Sequence, residues 1–212
     1  TKEEDPFGWG IKRLCATLFT VHPYRLDPSG DPQVVAAVNP KDVAAFYSRI
    51  RDPKKMVVAV TGDFDREELL RIFTQKLGSA RPESPASFQI PPEPPMTGFR
   101  EHEELSSRKE ALIMIGFRGL SVSDPRVATL DLIETILSGG AGRLFTQVRE
   151  RRGLAYTVGA FGVHGVDPGF FALYAVVEPQ QVEPVRQALL EEVRRLGASS
   201  VSEEELRFAK QG

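Results

Sequence analysis

Arg149 and Tyr156 are the residues in this chain whose types and spacing could do chemistry. A guanidinium and a phenol are both strong hydrogen-bond donors at neutral pH, suited to holding a peptide carbonyl or the oxyanion that develops from it. They stand seven positions apart near the end of a run that begins Gly139-Gly140-Ala141-Gly142-Arg143 and continues through Arg151, Arg152 and Gly153. That run reads as a loose glycine loop, a short basic helix, a glycine stop and the entry to a strand. Spacing alone allows a second reading. Arg149 would then be one more charge on a solvated face with Arg151 and Arg152, and Tyr156 a strand residue in the core.

Other chemistries find little support. A zinc hydrolase needs paired histidines on one helix face with a carboxylate, but the three histidines, His22, His102 and His164, are far apart and form neither H-E-x-x-H nor H-x-x-E-H. No G-x-S-x-G is present for a serine hydrolase. His22, just before a proline, reads as a hydrogen-bonded loop residue. The single Cys15 excludes an internal disulfide framework and sits in an apolar helical stretch, as a buried structural thiol would. Glu103-Glu104 and Glu203-Glu204-Glu205 read as solvated faces and helix starts. With 27 Lys+Arg against 29 Asp+Glu the net charge of -2 gives no electrostatic case for nucleic acid. No apolar run approaches the roughly 18 residues of a membrane span, and Thr1–Asp5 does not resemble a signal peptide.

The elements that must position the pair follow from periodicity and punctuation. Asp5-Pro6 opens a helix to about Phe19, with Ile11, Leu14, Cys15 and Leu18 at helical spacing, and a polar loop then runs to Pro32. Asn39-Pro40 opens a second helix, Met56–Val60 reads as a buried strand, and Asp65 opens a third helix stopped by Gly78. From Arg81 to Gly98 six prolines among polar residues make an extended, semi-rigid connector. Beyond it come a polar strand candidate at Phe99–Leu105, a buried strand at Ala111–Phe117 and a helix from Asp124-Pro125 to Leu137. Two strands, at 157–164 and 170–177, are joined by a turn at Asp167-Pro168-Gly169. A long amphipathic helix ends at Gly197, and Ser202 with Glu205 makes a capping box for one more. With 212 residues, 41% of them hydrophobic, the chain can bury a core in one large domain or two small ones. The pattern is α+β on both sides of the linker.

The run "LSGGAGRLFTQVRERRGLAY" from Leu137 to Tyr156 resembles the signature of the non-zinc half of M16 family peptidases, the pitrilysin and mitochondrial processing peptidase group. "FTVHPY" at Phe19–Tyr24, "NPKDVAAFYSRIRDPKKMVVAVTGDFD" at Asn39–Asp65 and the proline linker are similar to that family in the same order. The resemblance implies two LuxS/MPP-like metallohydrolase half-domains, each an antiparallel-rich sheet with helices on one face. Residues 1–80 would be the C-terminal half of a first domain, 81–98 the linker and 99–212 the N-terminal half of a second, inactive domain.

It further implies that Arg149 and Tyr156 match the family's arginine and tyrosine and contact the scissile carbonyl of a peptide or unfolded polypeptide. Zinc would be held by a separate zinc-bearing domain, in the same chain or in a partner subunit. The helix from Asp124 to Leu137 would occupy the place of the zinc helix, yet it reads "TLDLIETIL" without histidine. Glu3 and Glu4 fall after the place of the third zinc ligand. The expectation is a part of a zinc metalloendopeptidase that supplies no zinc ligand, binds no zinc itself and is inactive alone. The alternative is a non-catalytic partner or assembly scaffold complementing a zinc-bearing subunit. Bacterial cytoplasm and periplasm both stay open as compartments.

Overall fold

The computed structural model describes residues 5–50, 56–78, 89–138 and 142–211. They fall into two compact units, Thr1–Leu26 with Pro91–Gly212, and Asp27–Ile90. The first unit carries the candidate residues.

Its framework is a three-stranded antiparallel sheet in the order β1-β3-β2, with β1 Ala111–Arg118, β2 Thr157–Val163 and β3 Phe170–Val177. β2 and β3 are neighbours in sequence and form the expected hairpin, while β1 pairs along the other side of β3, from Ala111 opposite Val177 to Arg118 opposite Phe170. The hairpin connection requires Gly169, because a Cβ there would overlap the carbonyl oxygen of Val163. Central β3 is covered on both faces, so it reads as the unbroken apolar run Phe170-Phe171-Ala172-Leu173 and not as an alternation.

One face of the sheet packs under α5 (Val127–Leu137), α6 (Val182–Ala198) and a wide helical turn at Phe145–Glu150, in a core that includes Leu137, Leu144, Val148, Leu173 and Leu189. The opposite face receives α1 (Pro6–Leu18), whose Leu14 and Leu18, with Phe19, pack on Phe170 and Ala172. α1 begins as its sequence predicts, with the Asp5 carboxylate accepting the Gly8 N–H at 2.8 Å and Pro6 at the first helical position. Its last carbonyls, of Thr17 and Leu18, accept from Nη1 of Arg100 at 3.1 and 3.2 Å. Cys15 packs beside this second core, and burial pushes its thiol pKa up, which disfavours the reactive thiolate. α7 (Glu203–Ala209) carries the capping box read from Ser202 and Glu205.

The second unit holds α2 (Pro32–Ala37), α3 (Pro40–Ile50) and α4 (Arg66–Leu77). α3 and α4 start where expected. α2 falls at the end of what the sequence reads as a loop, although Asp31-Pro32 repeats the cap-then-proline start and Asp31 accepts the Gln33 N–H at 2.7 Å.

Two expected strands are not strands. Met56–Val60 has no partner alongside it among the described residues, and Val57 is 96% exposed. A strand is defined by its ladder, and apolar content without a neighbour does not make one. Phe99–Leu105 is extended but engaged through side chains, since Glu104 accepts from Trp9 and Arg13 of α1 while Arg100 caps that helix. α5 also begins later than expected. Asp124 caps a turn, accepting the Arg126 N–H at 2.9 Å, and the helix proper starts at Val127. Of the proline-rich connector, residues 81–88 lie outside the described residues, and 89–98 carry neither helix nor strand.

Candidate functional site

Arg149 lies on the turn Phe145–Glu150 and Tyr156 immediately before β2, and the fold brings them together. The turn is a π-helix, with the Arg151 N–H bonded five residues back to Thr146 at 3.0 Å. Such wide turns occur mostly singly and often at functional sites. Leu144 and Val148 anchor its buried side. Gly153, at φ +62°, then reverses the chain, its N–H bonding to the Arg149 carbonyl at 3.0 Å while the Leu154 N–H reaches Val148. The Tyr156 N–H closes onto Val176 of β3 at 3.0 Å, which fixes its backbone to the sheet.

The guanidinium carbon of Arg149 stands 5.0 Å from the Phe145 ring centroid and 5.8 Å from that of Tyr156. Both side chains are open to solvent, Tyr156 at 74% exposure. The neighbouring arginines are all engaged. Arg143 forms a fork with Glu205, Arg152 pairs with Glu191 at 2.9 Å and Arg151 reaches Gln147 at 3.5 Å. Among the described residues the Arg149 guanidinium has aromatic neighbours but no hydrogen-bond or carboxylate partner. A depression of about 380 Å³ adjoins Tyr156, lined by Leu154, Ala155, Val176 and Val177 together with Glu110, Glu178 and Gln181. Among the described residues the arrangement presents two hydrogen-bond donors beside a concavity of mixed polar and apolar lining.

A backbone consequence follows at Gly153. A Cβ there would meet nothing within 4 Å, so the cost of Gly153→Ala is the left-handed φ alone, about 1 kcal/mol. A fall of more than about 3 kcal/mol in chemical denaturation would show that packing, and not φ, demands the glycine.

Glu205 gives a pH signature. The hydrogen bonds from Arg143 hold its carboxyl at a pKa of about 2 against an ordinary 4.5, opposed by partial burial and helped by Ser202. The folded-state value is depressed, so the stabilisation is complete above the ordinary value and is lost as pH falls from 4.5 towards 2. The difference in Tm between the wild type and Glu205→Gln is therefore expected to hold above about pH 5 and to close towards pH 2. A pH-independent difference would remove the ion pair as its cause.

The family model described as the peptidase M16 inactive domain matches residues 37–212. The chain belongs to this family. It is 29% identical, over 96% of its length, to an uncharacterized zinc protease of Streptomyces coelicolor, and 28% identical, over 99%, to another of Mycobacterium leprae. It covers 46% and 48% of those proteins, about half the length of the curated relatives it matches. Among solved structures, a protease from Helicobacter pylori superposes with a TM-score of 0.84 at 20% identity over 99% of this chain and 51% of that one. A peptidase M16 inactive domain from Pseudomonas fluorescens gives 0.79 at 24% identity over 99% and 51%. These likenesses support the α+β fold.

The zinc in the relatives' names finds no ligand set among the described residues of this M16 chain. Among the described residues no group of three or more His, Cys, Asp and Glu side chains is gathered to hold a metal. His22 has both ring nitrogens engaged, Nδ1 accepting the Tyr24 N–H and Nε2 lying 3.2 Å from Asp167. His164 Nε2 is 2.9 Å from Asp131, and His102 Nε2 is 3.5 Å from Glu104. Glu3 and Glu4 lie outside the described residues. α5 spends its polar face on β2, where Glu134 accepts the Gly162 N–H at 2.7 Å and Ser138 that of Ala160 at 3.3 Å. The described residues do not fit a zinc centre.

Sequence reasoning missed two carboxylates. Glu93, in the proline-rich segment, accepts the N–H groups of Thr20, Val21 and His22, and Glu192 of α6 is 1% exposed with Arg195 on one oxygen. A glutamate among prolines, or at a helix position next to Glu191, carries no local signal of burial.

Proposed function

We propose that this chain is part of an M16-type zinc metallopeptidase and that Arg149 and Tyr156 hold the carbonyl of the peptide bond being cleaved. The observation that carries the reading is the contrast among neighbouring arginines. Arg143, Arg151 and Arg152 have partners, and of the four Arg149 alone keeps its donors free among the described residues, beside an exposed phenol. Donors placed on a carbonyl oxygen gain strength as the bond to the attacking water forms and the oxygen becomes anionic, which is differential binding of the transition state. The metal and its ligands come from residues outside this chain. The exposed apolar side chains of Val43, Phe46, Tyr47 and Ile50 on α3, and of Met56 and Val57 after it, support assigning the Asp27–Ile90 unit to a domain completed by other residues.

The test is reconstitution. The chain is joined to, or mixed with, a zinc-bearing M16 half carrying H-x-x-E-H, and hydrolysis of an unfolded polypeptide is followed with and without chelator. Chelator-sensitive cleavage that needs this chain and is lost in Arg149→Ala supports the reading. Cleavage that Arg149→Ala leaves unchanged refutes it. A partner subunit without its own catalytic role would raise activity equally with Arg149 and Tyr156 both replaced.

A further inference from the structure

The turn bearing Arg149 is wound one residue wider than an α-helix, and that winding decides where the guanidinium lies. Arg151 bonds five residues back, and Leu154 six residues back to Val148, where a glycine-ended α-helix would close at five. In this register Arg149 stands beside Tyr156, while its place over Phe145, four residues back, is the neighbour spacing of an α turn as well. A one-residue slip to α winding would turn Arg149 by about 100° and carry it off the Tyr156 ring.

A wide turn has poorer intrinsic stability than an α turn, so it persists where its ends are held. Arg143, just before it, is held by the fork to Glu205 of α7 at 2.5 and 2.9 Å, with its side chain 13% exposed. Glu205 is fixed in turn by the N–H and hydroxyl of Ser202, at 2.9 and 2.8 Å. At the far end Arg152 pairs with Glu191 of α6, but that pair is half in solvent and a weaker fastening.

We propose that Arg143 and Glu205 are positioning residues, their ion pair holding the wide register of 145–150 and thereby placing Arg149 beside Tyr156. The catalytic consequence rests on the carbonyl-holding reading of that pair; the register itself does not. α7 thus acts on the site from a distance, through a carboxylate shared between its own cap and the turn.

The direct measurement is nuclear magnetic resonance of the 212-residue chain, following the Arg149 Nε–H signal. The part of its ring-current shift that comes from Tyr156 is calibrated with Tyr156→Leu. Arg143→Gln and Glu205→Gln are expected to lose more than about half of that shift while the amide spectrum stays dispersed, since ring currents fall off within the contact distances of such pairs. An unmoved Arg149 signal in both folded variants overturns the proposal. Should either fail to fold, Arg143→Lys keeps the charge without the planar fork and is expected to lose part of the shift; no loss there also overturns it.

In the reconstituted peptidase, Arg143→Gln and Glu205→Gln are expected to lower kcat about tenfold with KM within about twofold, the mark of misplacement and not of lost binding. A lower Tm with kcat unchanged would mean that the pair is only structural. Activity indifferent to Arg149→Ala would instead refute the carbonyl-holding reading and leave the resonance result standing.

Discussion

Tyr156→Phe in the assembled peptidase is expected to lower kcat by about 10²-fold while KM stays within about threefold. The substitution removes one hydroxyl and leaves the ring, so the stacking beside Arg149 and the backbone bond from Tyr156 to Val176 are retained. What goes is a donor. In the free chain the phenol is open to water and costs nothing to replace. On the proposed carbonyl-holding role, its worth arises when bound peptide excludes water and charge builds on the carbonyl oxygen, where a donor counts for much more than in bulk solvent. The loss must therefore appear in kcat. If KM rose and kcat held, Tyr156 would serve uniform binding only, and equal kinetics for both proteins would remove it from the mechanism. Stopped-flow or steady-state assays on one defined peptide suffice.

Glu93→Ala is expected to cost about 2–4 kcal/mol of stability, a large effect for a residue in a proline-rich segment. The side chain is 6% exposed and accepts from the N–H of Thr20 at 2.6 Å, its hydroxyl at 2.7 Å, and the N–H groups of Val21 and His22 at 2.8 and 2.7 Å. Arg118 adds an ion pair at 2.9 Å and lies over the Phe19 ring at 4.4 Å. Truncation leaves three N–H groups and one guanidinium short of an acceptor, and the cost of unmet groups exceeds the value of the bonds themselves. Burial opposes ionisation of Glu93, but the hydrogen bonds from His22, Thr20 and Val21 outweigh it and hold the carboxyl well below the usual carboxylate range. The folded-state value is depressed, so this stabilisation is complete above the ordinary glutamate pKa and fades in acid below it. Urea titrations of the wild type and Glu93→Ala at neutral pH and at pH about 3 check both statements. A change below about 0.5 kcal/mol would show that the 20–22 loop satisfies its N–H groups without the carboxylate.

The same residue shows why part of the fold was illegible. Thr20–His22 and Glu93 are more than seventy positions apart, and nothing local to either announces the other. Elements with a local cause were readable. α1 starts at Asp5-Pro6, α7 at the Ser202–Glu205 box, and β3 shows its double-sided burial as continuous apolar sequence. Elements that depend on a distant partner were not. Met56–Val60 has strand composition but no neighbour to pair with, and Phe99–Leu105 gives its side chains to α1 instead of its backbone to the sheet. The position of α1 itself, on the sheet face opposite α6, is likewise a matter of which apolar surface remained uncovered.

For the candidate site the division is similar. Residue types and spacing by themselves determined which two donors to consider, where glycine must end the turn, and the M16 resemblance that the family match bears out. They left Arg149, Arg151 and Arg152 nearly equivalent, because a run of like residues differs only in what each one faces. Tertiary structure decided that difference. Arg149 stands over Phe145 and beside Tyr156, while Arg143 and Arg152 are turned to carboxylates of α7 and α6. Those carboxylates lie some 40 to 60 residues along the chain, and contact at that separation is created by packing.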